Sequence, residues 1–328
     1  MLIPIVLFLF LLSCGNEKEQ LLLTVVEKGK SSVGFYTPEG KRIAGAKVDT
    51  FPHEMRFSSD RKYAYVTNNG SLRYTDTVEG GETVSVINLQ TLQTEEPIRL
   101  HPYRRPHGID LDPESGLLAV GVENPDRVLL VDPKKRKILK EFDNHGKTPH
   151  MVRLSKGARW IYASNVQSAS VTGIHTGTGE FFSIPVGFKP QEAELSPDER
   201  ILYVGCDQYI AVIDLTTREE VAQIPNGSNR MELIKNGEIL VFASTKFGVG
   251  FADARSYQMI HHIDLPYKPY SLHVSDDEKL AFVSAEEQDI VYTVDVERME
   301  ILDQFRTPEG TRPDPVMMFN YSNQTLFQ

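Results

Sequence analysis

Cysteine is nearly absent from the 328 residues: only Cys14 and Cys206 occur. No pair is spaced as CxxC and no CxxCH is present, which removes a thiolate zinc knuckle, covalent c-type haem and a disulfide-stapled scaffold. A basic surplus is missing as well. The 35 Lys plus Arg stand against 45 Asp plus Glu, a formal charge of −10, whereas nucleic-acid binding driven by counterion release needs cations in excess on some face. The one long apolar run, residues 2–12, falls short of the roughly 20 residues a spanning helix requires. Motifs that would mark an enzyme outright are also lacking. His53-Glu54 has no second histidine of a zinc-protease helix, no GxSxG occurs, and Gly248-Val249-Gly250 has no third glycine. The stretch from Gly34 through Gly40-Lys41 misses P-loop spacing by one residue and lacks the Ser or Thr. What is present is 40% apolar and 24% charged, the composition of a globular chain with ample core.

The apolar run has the length of a signal-peptide h-region. It ends in Leu11-Leu12-Ser13-Cys14, which resembles the bacterial lipobox, although no Lys or Arg precedes the run. That resemblance implies a signal peptide over 1–13, lipidation of Cys14 and a short tether over 14–20. The mature protein is then expected in the bacterial cell envelope, anchored to a membrane by its lipid and facing the periplasm or cell surface. Cys206 is expected to be a small buried hydrophobe.

The rest of the chain repeats. Copies of one unit begin at Pro52, Pro106, Pro149, Pro190, Ser228, Pro269 and Pro313, with spacings of 54, 43, 41, 38, 41 and 44 residues. Each opens on an alternating strand, as in Ala193 and Leu195 set against Glu192 and Glu194, then turns through Ser, Pro, Asp or Gly into a second strand. Third strands at 84–88, 128–132, 171–175, 210–214, 249–253 and 290–295 mostly close on Asn or Asp, residues that cap tight turns. Units of about 40 residues with four strands each specify an all-β fold, a seven-bladed β-propeller of four-stranded antiparallel blades. The last copy holds only its opening strand at 316–319, with a further short strand expected at 325–327. Strands at 21–26, 32–36 and 42–48 supply the remainder, so N- and C-terminal strands close the ring, and 21–328 form one domain. Pairing the last free edge is the energetic reason for such a split.

Tyr65-Val66-Thr67-Asn68, with Arg105-Pro106-His107-Gly108-Ile109 and Val84-Ser85-Val86-Ile87-Asn88, resembles the YVTN-repeat propellers, and Tyr162-Ala163-Ser164-Asn165 and Tyr203-Val204-Gly205-Cys206 repeat the motif. The resemblance implies the fold. It does not select an activity, because such propellers include surface proteins, lactonase-like enzymes and cofactor carriers.

In a propeller the blade-to-blade loops surround one mouth of the central channel. His53, His107, His150, Gln191, Asn229, Tyr270 and Asp314 directly follow the repeat starts. Arg105, Lys189, Lys268 and Arg312 directly precede them, and Arg104 lies in the adjacent loop. Imidazoles among cations suit a small anionic molecule; the alternative is that each side chain satisfies its own loop. The candidate ligand-binding residues are therefore His53, Arg104, Arg105, His107, His150, Lys189, Gln191, Asn229, Lys268, Tyr270 and Arg312. The leading expectation is a monomeric binding protein for a small anion or a protein partner, with no cofactor, no nucleic acid, and membrane contact only through the anchor. The alternative is a lactonase-like or lyase-like enzyme with His107 or His150 as base, in one version with a metal on His53, His107 and His150. Residues 69–82, with Arg73, Tyr74 and Asp76, make the first repeat longer than the others and suggest a lid or specificity loop beside the mouth. Farther in, Arg56, Asp110, Arg153, Glu194, Glu232 and His273 are expected to form a ring of ion pairs between blades.

Overall fold

A computed structural model of the chain describes residues 20–73 and 75–321. The signal segment, Cys14, Tyr74 and the strand expected at 325–327 lie outside the described residues. Strands run from β1 (Gln20–Glu27) to β28 (Pro313–Tyr321) and form seven four-stranded antiparallel sheets. The innermost strands are β4 (Pro52–Phe57), β8 (Arg104–Leu111), β12 (Pro149–Leu154), β16 (Ala193–Leu195), β20 (Arg230–Ile234), β24 (Ser271–Val274) and β28. Each inner strand neighbours the next around the axis, and β28 meets β4. This is the seven-bladed propeller that the repeat specifies.

Ring closure follows the expected split. β28 takes the inner position of the sheet whose other members are β1, β2 (Ser32–Tyr36) and β3 (Arg42–Lys47). The β1 to β28 register runs from Gln20 opposite Tyr321 to Glu27 opposite Pro313, so the two chain ends satisfy each other's edge.

The period-two pattern explains how blades pack. In β5 (Tyr63–Asn68), Ala64 and Val66 face the preceding blade and join a cluster with Val33 and Phe35. Tyr65 faces the following blade and packs with Ile109 and Val120. Every middle strand is thus apolar on both faces, as a sheet sandwiched between two others must be.

Turn chemistry recurs with the repeat. Ser58, Ser155, Ser196 and Ser275 each accept, at Oγ, the backbone N–H five residues on, at 2.9 to 3.0 Å. The acids ending third strands cap the next turn: Asp132 accepts from the Lys135 amide, Asp214 from Thr216 and Asp253 from Arg255. These are local bonds, which is why the repeat is legible residue by residue. Cys206 has no exposed surface, as expected of a buried hydrophobe.

Candidate functional site at the channel mouth

The residues before six of the repeat starts, Phe51, Arg105, Thr148, Lys189, Gly227 and Arg312, all have positive φ, between 45° and 58°. At this point the chain turns from the outside of one blade to the inside of the next, and the left-handed backbone is what the turn demands. The residue directly after each repeat start lines the mouth.

The Tyr65-Val66-Thr67-Asn68 stretch fixes two of these. Thr67 Oγ1 accepts the Glu54 amide at 3.0 Å and donates to the His107 carbonyl at 2.7 Å, tying β4 to β8. Asn68 Nδ2 donates to Thr83 and Ser85 at 2.9 Å. Gly108 then lets β8 and β12 approach, because a Cβ there would lie 2.5 Å from the His150 carbonyl oxygen and 2.6 Å from Met151 Cα. The result is a row of imidazoles in contact: His53 and His107 meet edge to face with ring centroids 4.5 Å apart, and His107 and His150 are tilted by 39° with centroids 3.9 Å apart.

These three rings line a cavity of about 390 Å³, at the small end of the range for small-molecule sites. Of the candidate residues, Lys189, Gln191, Asn229, Lys268 and Tyr270 line it too. Arg104, Arg105 and Arg312 do not. Arg104 pairs with Glu79 and Glu82, and Arg312 with Glu286 at 2.7 Å. Arg105 is buried; it bonds Glu123 at 2.9 Å and the carbonyls of Asp76, Arg73 and Val78 at 2.7, 3.1 and 3.4 Å. Its guanidinium thereby holds the long 69–82 segment, whose Leu72, Arg73 and Thr75 border the cavity. Among the described residues Lys189 and Lys268 form no ion pair; each ammonium instead lies 5.3 Å from an aromatic centroid, Phe188 and Tyr270 respectively.

Several cavity residues escaped the sequence reading. Lys28, in the turn after β1, donates to Asp314 at 3.0 Å and to Glu286 at 3.3 Å. Burial opposes its charge, but those acids outweigh burial and hold it protonated. Glu54 and Arg230 form the floor. Arg230 pairs with Glu54 and, at 2.6 Å, with Glu192. Glu54 and Arg230 belong to blades three steps apart, the greatest separation a seven-membered ring allows, so the pair crosses the channel. Beneath it lies a second cavity of about 260 Å³ that shares Arg230. Its walls carry the expected ring of ion pairs: Arg56 to Asp110 at 3.0 Å, Arg153 to Glu192 at 3.3 Å and to Glu194, and Glu232 to His273 at 2.9 Å. One signal was available for the floor, since Glu54, Glu192 and Arg230 all stand two residues after a repeat start.

The electrostatics are uneven. Burial, aided by the charges of Lys28 and His107, pulls His53 well below the ordinary imidazole range, and burial and His107 do the same to His150. Burial pushes Asp314 up to about 6 despite Lys28. Burial also opposes ionisation of Glu123, but His107 and Arg105 outweigh it and keep its carboxyl below the usual range. Among the described residues, two buried polar atoms of cavity residues have no hydrogen-bond partner, His150 Nδ1 and Asp314 Oδ1. The imidazoles pack ring against ring, and among the described residues no three His, Cys, Asp or Glu are disposed to hold a metal ion.

No family model matches the chain, and no curated protein matches it. Solved structures do. Dihydro-heme d1 dehydrogenase NirN, in complex with DHE, aligns over 88% of this chain with a TM-score of 0.63 and 17% identity. The chain spans 64% of that protein's length. Hydrazine synthase from Kuenenia stuttgartiensis aligns over 78% of this chain and 86% of its own, with a TM-score of 0.66 and 16% identity. Identities this low establish the propeller fold and leave its use open.

Proposed function

We propose that this protein is a non-enzymatic, exported propeller of the YVTN-repeat kind, lipid-anchored through Cys14 in a bacterial cell envelope, which binds a small anion at its top-face mouth as a monomer. The observation that carries this is the cavity itself, where Lys189 and Lys268 present ammonium groups that form no ion pair among the described residues, although the carboxylates of Glu54, Asp207, Glu286 and Asp314 line the same cavity. A concave site of about 390 Å³ suits a small molecule better than a protein surface. The tether fits this use. Gln20 pairs with Tyr321 at the opposite end of β1 from Lys28, so an anchor on that side would hold the mouth away from the membrane.

Calorimetric titration of the purified chain with small carboxylates and inorganic phosphate tests the proposal. Replacing Lys189 and Lys268 together by Ala is expected to weaken binding by about a hundredfold or more, since two charge-assisted bonds of about 1.5–3 kcal/mol each are lost. Unchanged affinity would sink it. The ionised Asp314 carboxylate repels a bound anion, so affinity should rise as pH falls through about 6. Asp314→Asn should flatten that profile.

A second reading has one observation in its favour: Glu123 Oε1 lies 3.1 Å from His107 Nδ1. An imidazole backed by a carboxylate is the arrangement of a general base, as the lactonase-like or lyase-like alternative requires. Turnover of a simple lactone that Glu123→Gln abolishes would establish it, and absence of turnover discards it.

A further inference from the structure

The three histidines look at first like donors for the anion. Their hydrogen bonds say otherwise. His53 Nδ1 lies 3.2 Å from the Phe51 carbonyl oxygen, and His107 Nδ1 lies 3.1 Å from Glu123 Oε1. A carbonyl oxygen and an ionised carboxylate accept only, so in both rings Nδ1 carries the proton. A neutral ring with its proton on Nδ1 turns an Nε2 lone pair outward. His53 is held neutral by burial beside Lys28. Among the described residues neither Nε2 has a partner. The mouth therefore offers two kinds of group: cations in Lys189 and Lys268, and hydrogen-bond acceptors in His53, His107 and the free Oδ1 of Asp314.

We propose that the ligand is an acid bearing a hydroxyl or ammonium group beside its anionic group, the anion lying against Lys189 and Lys268 and the protic group donating to the Nε2 atoms of His53 and His107. This rests on the anion-binding assignment above and narrows it, since a bare anion would leave the acceptors unanswered. A buried acceptor left without a donor disfavours the ligand that fails to supply one.

Glu123 sets this preference from outside the cavity. Arg105 can only donate, and it takes one Glu123 oxygen while His107 takes the other. In Glu123→Gln the guanidinium claims the amide oxygen, which leaves the NH2 group facing His107 Nδ1. That nitrogen must then accept, and the ring proton moves to Nε2. The substitution therefore converts one acceptor of the mouth into a donor without touching the ligand.

Malate and succinate, which carry the same charge and differ by one hydroxyl, are the probes. Titrated into the full chain at pH 7.5, malate is expected to bind about tenfold more tightly, the worth of one neutral hydrogen bond at the upper end of its range. Glu123→Gln should reduce that ratio to near one or invert it, whereas Lys189→Ala with Lys268→Ala should weaken both ligands alike. Nitrogen-15 chemical shifts of the histidines supply a measurement independent of affinity. The native His107 should show the proton on Nδ1, and Glu123→Gln should show it on Nε2. Equal binding of the two acids, with both still dependent on the lysines, overturns this inference and leaves anion binding standing. Failure of both acids to bind overturns both, and a native His107 that carries a proton on Nε2 at pH 7.5, either alone or together with one on Nδ1, overturns the inference whatever the titrations give.

Discussion

The pair that crosses the channel can be cut at one residue. In Arg230→Met the side chain keeps its length and loses its charge; Glu54, about one-twentieth exposed, is stranded, while the fully buried Glu192 keeps Arg153 at 3.3 Å and Arg56 at 3.8 Å. Removing one partner of a buried pair costs about 3–5 kcal/mol, because the uncompensated charge remains in a poorly solvated place. For a fold of roughly 300 residues the unfolding entropy is about 0.6 kcal/mol per degree, so the melting temperature should fall by about 5–8 °C. Scanning calorimetry measures that shift. The fluorescence of Trp160, the single tryptophan, follows the same transition in urea. The effect also carries a pH signature. In the native protein burial works against the Glu54 charge, but Arg230, together with His107 and Arg56, outweighs it and holds the carboxyl below its usual range. That stabilisation is therefore complete above the ordinary glutamate value of about 4.3 and is lost only as pH falls below it. In the variant burial is opposed only by the charges of His107 and Arg56, so the Glu54 carboxyl is easier to protonate than in the native protein, and the penalty is greatest at neutral pH and shrinks as the carboxyl takes up its proton. Combining Arg230→Met with Glu54→Gln should recover most of the loss, since an uncharged group of similar shape replaces the stranded carboxylate at little cost. A loss below about 1 kcal/mol for the single variant, or one that grows on acidification, would refute the view that this pair is buried and mutually compensated.

Arg105→Ala should release the 69–82 segment, which would be cut by protease at least tenfold faster, and should lower stability by about 3 kcal/mol because Glu123 loses its guanidinium. Arg104→Ala, whose partners Glu79 and Glu82 are partly or largely exposed, should cost under about 1 kcal/mol and leave the segment protected; equal effects from the two would contradict the assignment of Arg105 as the clamp. Burial pushes the Cys206 thiol up to about 12, so a thiol reagent at pH 8 should label it only as fast as the protein unfolds, and rapid native-state labelling would show the site is open.

Repeat starts, blade boundaries and the termini that close the ring were readable because each rests on local chemistry. Ser155 reaches the Trp160 amide, Asp253 caps the turn at Arg255, and the alternation of Ala64, Tyr65 and Val66 assigns faces strand by strand. The same register brought His53, His107, His150, Lys189 and Lys268 to one mouth. Charge type misled where partners are remote in sequence. Arg105 and Arg312 occupy the same repeat position as Lys189, yet Arg105 is consumed by the loop and by Glu123, and Arg312 by Glu286. Lys28, in a turn outside the repeat starts, enters the cavity only because β1 pairs with β28.

The sequence alone determined a closed seven-fold ring and the register that turns particular residues toward its axis, since period-two burial and turn capping act over a few residues. Only the tertiary structure decided what those residues do there. Glu54 and Arg230 are 176 positions apart and meet only because the ring closes. Whether His107 offers a lone pair or a proton depends on Glu123, sixteen residues away on the neighbouring strand. The charge and tautomer of a buried group follow from its spatial neighbours, and ring closure sets those neighbours.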